Sequence, residues 1–449
     1  MKEKELRLAL VCYGGISLAV NIYGVTRELH KLARASKTYF SEPSVRRRQS
    51  VSFDALEAHD HRELDTERVY FDLLQEIGGE LELKVVIDLI AGASAGGING
   101  VMLGRALAHD LPLDGLRALW LDEADVERLM ADESRPGFFS KLLKRPVFFI
   151  VRLRNLGSVR TLLRRSTDKE IRAKLDYFLR AKWFRPPFSG RRLSRLLMKA
   201  AQAMGQTTGR DGTCMPPNHP LNLYVTVTDF QGYRQRLKLH DPPEIEELEH
   251  RLILSFRHHR SAAVDVQDFA DGTLPALVFA ARATSCFPGA FPPARLREID
   301  QVNYGDARPW PGRQAFIDRA LSPAVHGGRL ADQISFIDGS VLNNKPFGPV
   351  IDALPGRVAH RQVDRRIVYV DPAPPRRRRP PDDTAMPGFL KVITGALSVI
   401  PRNQPVRDEL ERLNALSQET RSLREVVDAA RPSVSQTIDR LLGPALRKR

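Results

Sequence analysis

Cysteine is scarce in this chain, and long apolar runs are absent. The 449 residues include only Cys12, Cys214 and Cys286, widely spaced and without a C-x-x-C pair. This pattern excludes a disulfide framework and a cysteine-based zinc site, and it predicts reduced thiols in a cytoplasmic protein. No stretch approaches the roughly 18 apolar residues of a membrane-spanning helix, and the apolar run near the N-terminus is too short for a signal peptide. We therefore expect a soluble or peripherally bound protein.

Acidic residues are outnumbered by basic ones. The chain has 69 Lys and Arg against 54 Asp and Glu, a formal net charge of +15. The excess is concentrated in residues 141–199, where 18 basic and three acidic residues are interleaved with Leu, Phe and Trp183. Three interpretations stay open: a helical insertion with a solvated basic face, a surface that docks on anionic membrane, or a nucleic-acid surface. The last is disfavoured because aromatic residues are few and no known binding module is recognisable.

The strongest local signal lies in residues 85–107, which read VVIDLIAGASAGGINGVMLGRAL. The apolar run predicts a strand buried on both faces, and a helix-forming stretch ends the segment. Between them, Ser94 is flanked by Gly92 and Gly96 in a G-x-S-x-G turn, the pattern of a nucleophile elbow. Such a turn places the serine oxygen near a helix N-terminus, which favours developing negative charge. The alternative is a small-residue turn that serves close packing alone.

Strand and helix patterns continue along the rest of the chain. Residues 34–62 are polar and basic and predict a loop or mobile flap, and the proline- and arginine-rich stretch after residue 374 predicts an exposed linker. Strands are predicted at residues 6–12, 221–230, 335–338 and 365–374. Helices are predicted at residues 18–32, at residues 64–79, shortly before residue 283 and from residue 389 onward.

A serine nucleophile needs a base that accepts its proton. A Ser-Asp-His hydrolase places its histidine after its acid in the chain, but the only histidine after Asp338 is His360, which lies in no evident motif. His326 precedes Asp338 in a glycine-rich loop, and both histidines are expected on the surface. Asp338 ends a short apolar strand and precedes Gly339, and an ionised carboxylate there could accept the Ser94 proton directly. Asp-Gly is also a common turn.

Donors for the oxyanion are expected at the glycine turn after the first strand. Gly14 and Gly15 let the backbone approach a substrate oxygen, and their N–H groups would lie beside Ser94 if the first strand neighbours the second. A plain strand-to-helix turn is the other interpretation of this pair.

Four motifs, taken in order, resemble those of patatin-like phospholipases. They are the glycine turn at residues 14–15, GASAGG at 92–97, ATSCFPGAFPP at 283–293 and DGSVLNNKP at 338–346. The resemblance implies an α/β fold, a three-layer sandwich with a mostly parallel central sheet. It also implies hydrolysis of acyl esters of lipids by a Ser-Asp dyad without histidine. We expect no metal and no organic cofactor, because no cluster of ligand residues appears in the sequence.

Transferred onto this chain, the resemblance makes Ser94 the nucleophile, Asp338 its base, and Gly14 and Gly15 the oxyanion turn. Gly92, Gly96 and Gly339 are the motif glycines. Residues 1–375 would form the acyl hydrolase domain, with a basic helical insertion at about residues 109–220. Residues 376–449 would be a linker and a helical extension.

The sequence therefore predicts a serine acyl hydrolase that cleaves fatty-acyl esters of phospholipids or related lipids, of the phospholipase A or lysophospholipase type. Its expected partners are a phospholipid or other acyl-lipid substrate and an anionic membrane surface, and a protein activator stays open. The alternative is a catalytically silent scaffold that binds membrane, nucleic acid or a protein partner through the basic insertion. A triad that uses His360 is a third hypothesis.

Overall fold

The strands of one seven-stranded sheet organise the chain. The computed structural model describes residues 2–15, 19–56, 66–118, 120, 129–131, 186–207, 212–304, 310–357, 359, 362–371 and 405–442. The strands are β1 Lys2–Cys12, β2 Leu81–Gly92, β3 Leu221–Lys238, β4 Glu244–Arg260, β5 Asp265–Gln267, β6 Phe336–Asp338 and β7 Gln362–Val370.

The sheet is mixed, with its parallel strands side by side. Its order is β5-β4-β3-β2-β1-β7, and β6 pairs with β3 outside this path. The four neighbours β3, β2, β1 and β7 run parallel to one another, whereas β4, β5 and β6 form antiparallel pairs. Parallel strands need crossover connections, which helices provide on the faces of the sheet.

Helices lie between most of the strands. In chain order they are α1 Ala19–Tyr39, α2 Val45–Arg48, α3 Phe53–Leu56, α4 Glu67–Ile77, α5 Ala95–His109, α6 Leu116–Ala118, α7 Gly190–Ala203, α8 Leu274–Thr284, α9 Leu296–Tyr304, α10 Arg313–Ala320, α11 Ser322–His326, α12 Phe347–Asp352 and α13 Arg407–Leu442. Single 3₁₀ turns span Asp271–Thr273, Ala331–Gln333 and Gly339–Val341.

Side-chain alternation along β1 divides the core into two layers. Leu8, Leu10 and Cys12 join the larger apolar cluster, which includes α1, α5, α7 and α8. Ala9 and Val11 point to the other face and join a smaller cluster, which α12 and the first turns of α13 cover. Because successive residues of a strand point to opposite faces, this pattern gives helices on both sides of the sheet. The predicted α/β sandwich with a parallel central sheet is confirmed.

Most predicted elements are found, but the prediction of a loop or flap at residues 34–62 is wrong in part. Helix α1 continues to Tyr39, which is fully buried, and α2 and α3 follow. Arg48 forms an ion pair of 2.6 Å with the buried Glu82 at the start of β2, and its guanidinium lies over the ring of Phe40. Some of the polar residues in this segment form buried ion pairs. The amino-acid composition cannot distinguish such residues from charges exposed to solvent, so the segment was predicted as a loop. Residues 57–65 lie outside the described residues.

The basic segment at residues 141–199 is described only in part. The basic segment is seen at α7, where Leu193, Leu197 and Met198 are buried. This apolar face therefore packs in the core and is not available to insert into a membrane, whereas Arg191 and the other outward basic residues are exposed. Residues 132–185 lie outside the described residues.

The long strand β4 was not expected from the sequence, because its first half, residues 244–251, is rich in charged residues and has no clear apolar face. It pairs with β3 along almost its whole length and extends the sheet into a charged hairpin. The helical C-terminal segment is confirmed by α13. The linker expected after residue 374 lies outside the described residues, and the domain boundary at residue 375 stays a prediction. In the described part of the chain, no helix is both long and apolar enough to cross a bilayer.

The ion pair between Arg48 and Glu82 gives a test of the corrected region. Arg48→Ala should lower the free energy of unfolding by about 3 kcal/mol, because it leaves a buried carboxylate without its main partner. Arg47→Ala in the same helix removes an exposed charge and serves as the control, with an expected change below about 0.5 kcal/mol. Denaturant unfolding measures both variants. Equal small losses would show that the segment is as loosely held as its composition suggests.

Candidate active site

Ser94 lies at a sharp turn between β2 and α5. Its backbone has φ 51° and ψ −123°, a conformation with positive φ that a non-glycine residue adopts at a cost of about 1–3 kcal/mol. Strand β2 ends at Gly92 and α5 begins at Ala95, so the expected strand–turn–helix context is present. The strained turn holds the serine side chain at the N-terminus of α5.

Asp338 reaches Ser94 because β2 and β6 share one edge of β3. Strand β4 occupies the other edge of β3. On the shared edge, β2 pairs up to Val225, and β6 pairs antiparallel with residues 227–229, with Asp338 opposite Val227. The last residue of β6 therefore lies just beyond the end of β2. The sheet thus brings together two residues 244 positions apart in the chain.

The two side chains form one hydrogen-bonded unit. Ser94 Oγ donates to Asp338 Oδ2 at 2.8 Å, and the other carboxylate oxygen accepts the backbone N–H of Ser340 at 2.8 Å. Both Ser94 and Asp338 are fully buried. This geometry lets the carboxylate accept the hydroxyl proton, since a base must lie within about 2.6–3.2 Å of the proton's donor.

The motif glycines lie where backbone segments pass very close to one another. A Cβ on Gly96 would lie 2.2 Å from the carbonyl oxygen of Cys12, and one on Gly92 would lie 2.4 Å from that of Gly96. At Gly339 the added carbon would lie 1.9 Å from the oxygen of Thr226. Real side chains do not tolerate such distances, so each glycine permits an approach that the turn or the β6–β3 junction requires.

The end of α8 holds both members of the pair, a role that sequence reasoning missed. Thr284 Oγ1 accepts the backbone N–H of Ser94 at 2.8 Å. The carbonyl of Cys286 accepts the backbone N–H of Asp338 at 3.0 Å. Both residues belong to the ATSCFPGAFPP motif. The residue types of this motif do not by themselves predict a role at the site. Only the fold shows that this segment contacts the elbow and β6 at once.

The glycine turn after β1 lies beside Ser94, as expected from the pairing of β1 with β2. A Cβ on Gly14 would lie 3.0 Å from that of Ser94 and 2.9 Å from that of Ser340. However, the N–H of Gly14 donates to Asn344 Oδ1 at 2.9 Å. In this state the Gly14 donor is therefore directed at the DGSVLNNKP loop. Gly15 follows in the same turn, and Ala95, the residue after Ser94, is the first residue of α5.

Two cysteines border the pair without being nucleophiles. Burial raises the pKa of the thiols of Cys12 and Cys286 to about 12. Both therefore stay protonated at neutral pH, and a protonated thiol is a poor nucleophile. Among the described residues, the serine is the activated nucleophile candidate at this corner.

No histidine of the described chain bonds to the serine. His326 is exposed at the end of α11, and His360 lies outside the described residues. Nor do the described residues contain a group of three or more His, Cys, Asp or Glu side chains placed to hold a metal ion. The base that the geometry offers to Ser94 is Asp338.

Serine hydrolases typically place a serine at a strand–helix elbow of an α/β fold, hydrogen-bonded to a side chain that can accept its proton. This chain has that arrangement. Residues 55–351, more than half of the chain, match the patatin-like phospholipase family, and the chain belongs to that family. The match includes Ser94 and Asp338 and begins after Gly14 and Gly15.

A protein of Mycobacterium tuberculosis (strain ATCC 25618 / H37Rv), named Uncharacterized membrane protein Rv3479, is similar to this chain. The two are 27% identical over 406 residues, which cover 88% of this chain. The chain spans only 30% of the length of that relative. No solved structure matches the chain.

Thr284 gives a test of how the elbow is held. Thr284→Val should lower the free energy of unfolding by about 1–3 kcal/mol, because the buried N–H of Ser94 loses its acceptor while the side-chain shape is kept. Thr284→Ser retains the oxygen and is the matched control. Chemical denaturation of the two variants makes the comparison. If the serine variant loses as much as the valine variant, the hydroxyl is not what holds the turn.

Proposed function

We propose that this protein is a serine acyl hydrolase that cleaves fatty-acyl esters of phospholipids or related lipids through Ser94 and Asp338. The observation that carries the proposal is the 2.8 Å hydrogen bond from Ser94 Oγ to Asp338 Oδ2 at a strained elbow. Membership of the patatin-like phospholipase family supports the lipid ester as the substrate class.

The first half-reaction forms an acyl-enzyme. As Ser94 Oγ attacks the ester carbonyl, its proton moves to Asp338 Oδ2, and the Oγ–carbon bond creates a tetrahedral oxyanion. When the oxyanion collapses, the bond to the alcohol oxygen breaks and Asp338 returns the proton to that oxygen. The alcohol, a lysolipid or glycerol derivative, then leaves, and the acyl chain stays bound to Ser94. Splitting the reaction in this way replaces one difficult step with two easier ones.

The second half-reaction releases the fatty acid. Water gives a proton to Asp338 and attacks the acyl carbonyl. The Oγ–carbon bond breaks and Ser94 recovers its proton from Asp338. The Ser340 N–H keeps one carboxylate oxygen in place throughout, so the other oxygen faces Ser94 and the water that replaces the alcohol.

The oxyanion would be held by backbone N–H groups at the corner of β1 and α5. The N–H of Gly15 is one donor, and the N–H of Ala95 at the start of α5 is a second, since the first N–H groups of a helix have no intrahelical acceptor. The N–H of Gly14 would join them once Asn344 moves away. Because Ser94 and Asp338 are fully buried, the ester reaches them only when residues around the corner move.

The dyad is tested by fatty-acid release from mixed vesicles that contain anionic phospholipid. Ser94→Ala should abolish release, and Asp338→Asn should reduce it by about 10²–10⁴-fold, the usual contribution of a general base. His360→Ala is the control and should change the rate little, whereas a triad through His360 predicts a loss as large as that of Asp338→Asn.

Equal release from the wild type and both dyad variants would place the reaction elsewhere and remove Ser94 as the nucleophile. Release from none of the proteins, combined with retained vesicle binding, would favour the catalytically silent scaffold over the hydrolase.

The basic segment is proposed to bring the enzyme to anionic membrane. In its described part, Arg191, Arg195 and Lys199 follow one another at i, i+4 and i+8 on the exposed side of α7, opposite the buried face. Residues at this spacing lie on one face of a helix. Such a row can contact phosphate groups without exposing the core.

Replacing Arg191, Arg195 and Lys199 together by Gln should weaken binding to anionic vesicles, and binding of the wild type should fall steeply as salt rises, since exposed charges are screened. Replacing the exposed Arg234, Arg236 and Lys238 of the hairpin by Gln removes the same charge and is the control. Cosedimentation with vesicles at several salt concentrations measures both effects. Salt-insensitive binding, or equal losses in the two triple variants, would contradict docking through α7.

A further inference from the structure

The C-terminal helix extends far beyond the domain that it helps to cover. Val406, Leu413 and Leu416 pack on the smaller apolar cluster, and α12 is the described helix that contacts α13 most. From residue 417 to Leu441, almost every residue of α13 is exposed. At 1.5 Å per residue this part of the helix is roughly 40 Å long. It includes apolar side chains, among which Leu423 is 67% and Leu441 76% exposed.

Among the exposed apolar residues, Val427, Val434 and Leu441 recur every seven positions, and Val426 and Ile438 flank the same stripe of the helix. Taking Thr420 as position a of a heptad, the a positions are Thr420, Val427, Val434 and Leu441, and the d positions are Leu423, Ala430 and Thr437. The pattern continues for three heptads along the stripe that begins with Leu413 and Leu416 on the domain. Apolar a and d positions sustained over about three heptads indicate a coiled coil.

The residue types select the form of the coiled coil. Three of the four a positions, Thr420, Val427 and Val434, are β-branched, and Leu423 occupies a d position. β-Branched residues at a together with leucine at d favour two parallel strands. The partner helix in such a pair needs the same apolar stripe in the same register. A second copy of this chain has that stripe.

The two threonines of the stripe are already prepared for burial. Thr420 Oγ1 donates to the carbonyl of Leu416 at 2.8 Å, and Thr437 Oγ1 donates to that of Ser433 at 2.9 Å. A hydroxyl without a partner is costly to bury. Because both hydroxyls donate within their own helix, their methyl groups can enter an apolar seam without leaving an unsatisfied donor.

One pair of charges beside the seam is complementary in the parallel arrangement. Glu419 is at position g and Arg424 at position e of the following heptad, the two positions that face each other across a parallel dimer. An antiparallel pair would instead bring e positions together, and Arg424 and Arg431 are both at e. Helix α13 has six arginines, no lysine and seven acidic residues, so it lacks the cationic face by which a helix binds anionic membrane.

Pro432 gives a further reason why the helix needs a partner. It lies inside α13, where proline removes a backbone hydrogen bond at a cost of about 3 kcal/mol. A helix in water draws most of its stability from packing of its apolar face. Pro432 is at position f, which faces away from the seam, so a second helix can pack along the stripe without meeting it.

We propose that residues 420–441 form a parallel, in-register, two-stranded coiled coil with a second copy of this chain. Only two of the seven core positions are leucine, and d includes Ala430 and Thr437. The association is therefore expected to be reversible and dependent on concentration. It is independent of the proposed catalysis.

Sedimentation equilibrium of the full chain over a wide concentration range tests the dimer. The wild type should rise from 50.5 kDa toward twice that mass, and the variant Val427→Lys with Val434→Lys should stay at the lower mass. The matched control is Ala429→Lys with Gln436→Lys, which adds the same charge at the outward c positions and should behave as the wild type. A monomer at all concentrations, or a dimer that survives the Val427 and Val434 changes, would overturn the proposal.

Crosslinking and charge reversal test the orientation. Val427→Cys should form a disulfide between two copies on oxidation, whereas Ala429→Cys, with the same native cysteines, should not. Glu419→Arg or Arg424→Glu alone should weaken the dimer severalfold, and both changes together should restore it. If the Val427 and Val434 variant loses the dimer but Val427→Cys forms no disulfide, the strands are antiparallel or out of register. If that variant instead loses vesicle binding and the wild type stays monomeric, the stripe is a membrane contact.

Discussion

The site depends on a single edge of β3 that two other strands share. Strand β2 pairs with this edge as far as Val225, and β6 takes it over at Val227. The positions of both site residues follow from this arrangement. The turn that contains Ser94 begins where β2 ends, and Asp338 is the last residue of β6. The hydrogen bond of 2.8 Å between Ser94 and Asp338 is thus set by backbone pairing. Side chains alone, on flexible loops, would not hold two such distant residues at this distance.

This succession is possible only where the surrounding residues are small. The start of α5 approaches β1 so closely that a Cβ on Gly96 would overlap the backbone of Cys12, and one on Gly339 would overlap that of Thr226. The same closeness lets Thr284 reach the N–H of Ser94. Small residues therefore do two things at this corner. They permit the strained turn, and they let the side chain of Thr284 bond to the backbone N–H of Ser94.

Sequence reasoning found what depends on local pattern and missed what depends on tertiary contact. The apolar run before Gly92 and the end of a short strand at Asp338 are legible in the sequence, because burial and turns leave characteristic residue types. The roles of Thr284 and Asn344 could not be predicted from the sequence, because neither residue type is unusual and their partners lie at least 190 positions away. The buried Arg48 was mistaken for part of a solvated loop for a related reason. A charge paired with Glu82 and a charge in water look the same in a sequence.

A dyad without histidine requires that the carboxylate itself be oriented. In a triad the acid positions the histidine, and the histidine exchanges protons with the serine. Here the backbone N–H of Ser340 holds Asp338 Oδ1, and the backbone N–H of Asp338 is held in turn by the carbonyl of Cys286. In the proposed dyad, the loop after Asp338 and the end of α8 therefore supply the orientation that a third side chain gives in a triad. The Asp-Gly turn and the proline-rich segment after Cys286 accordingly belong to the proposed catalytic arrangement, although neither contributes a reacting group.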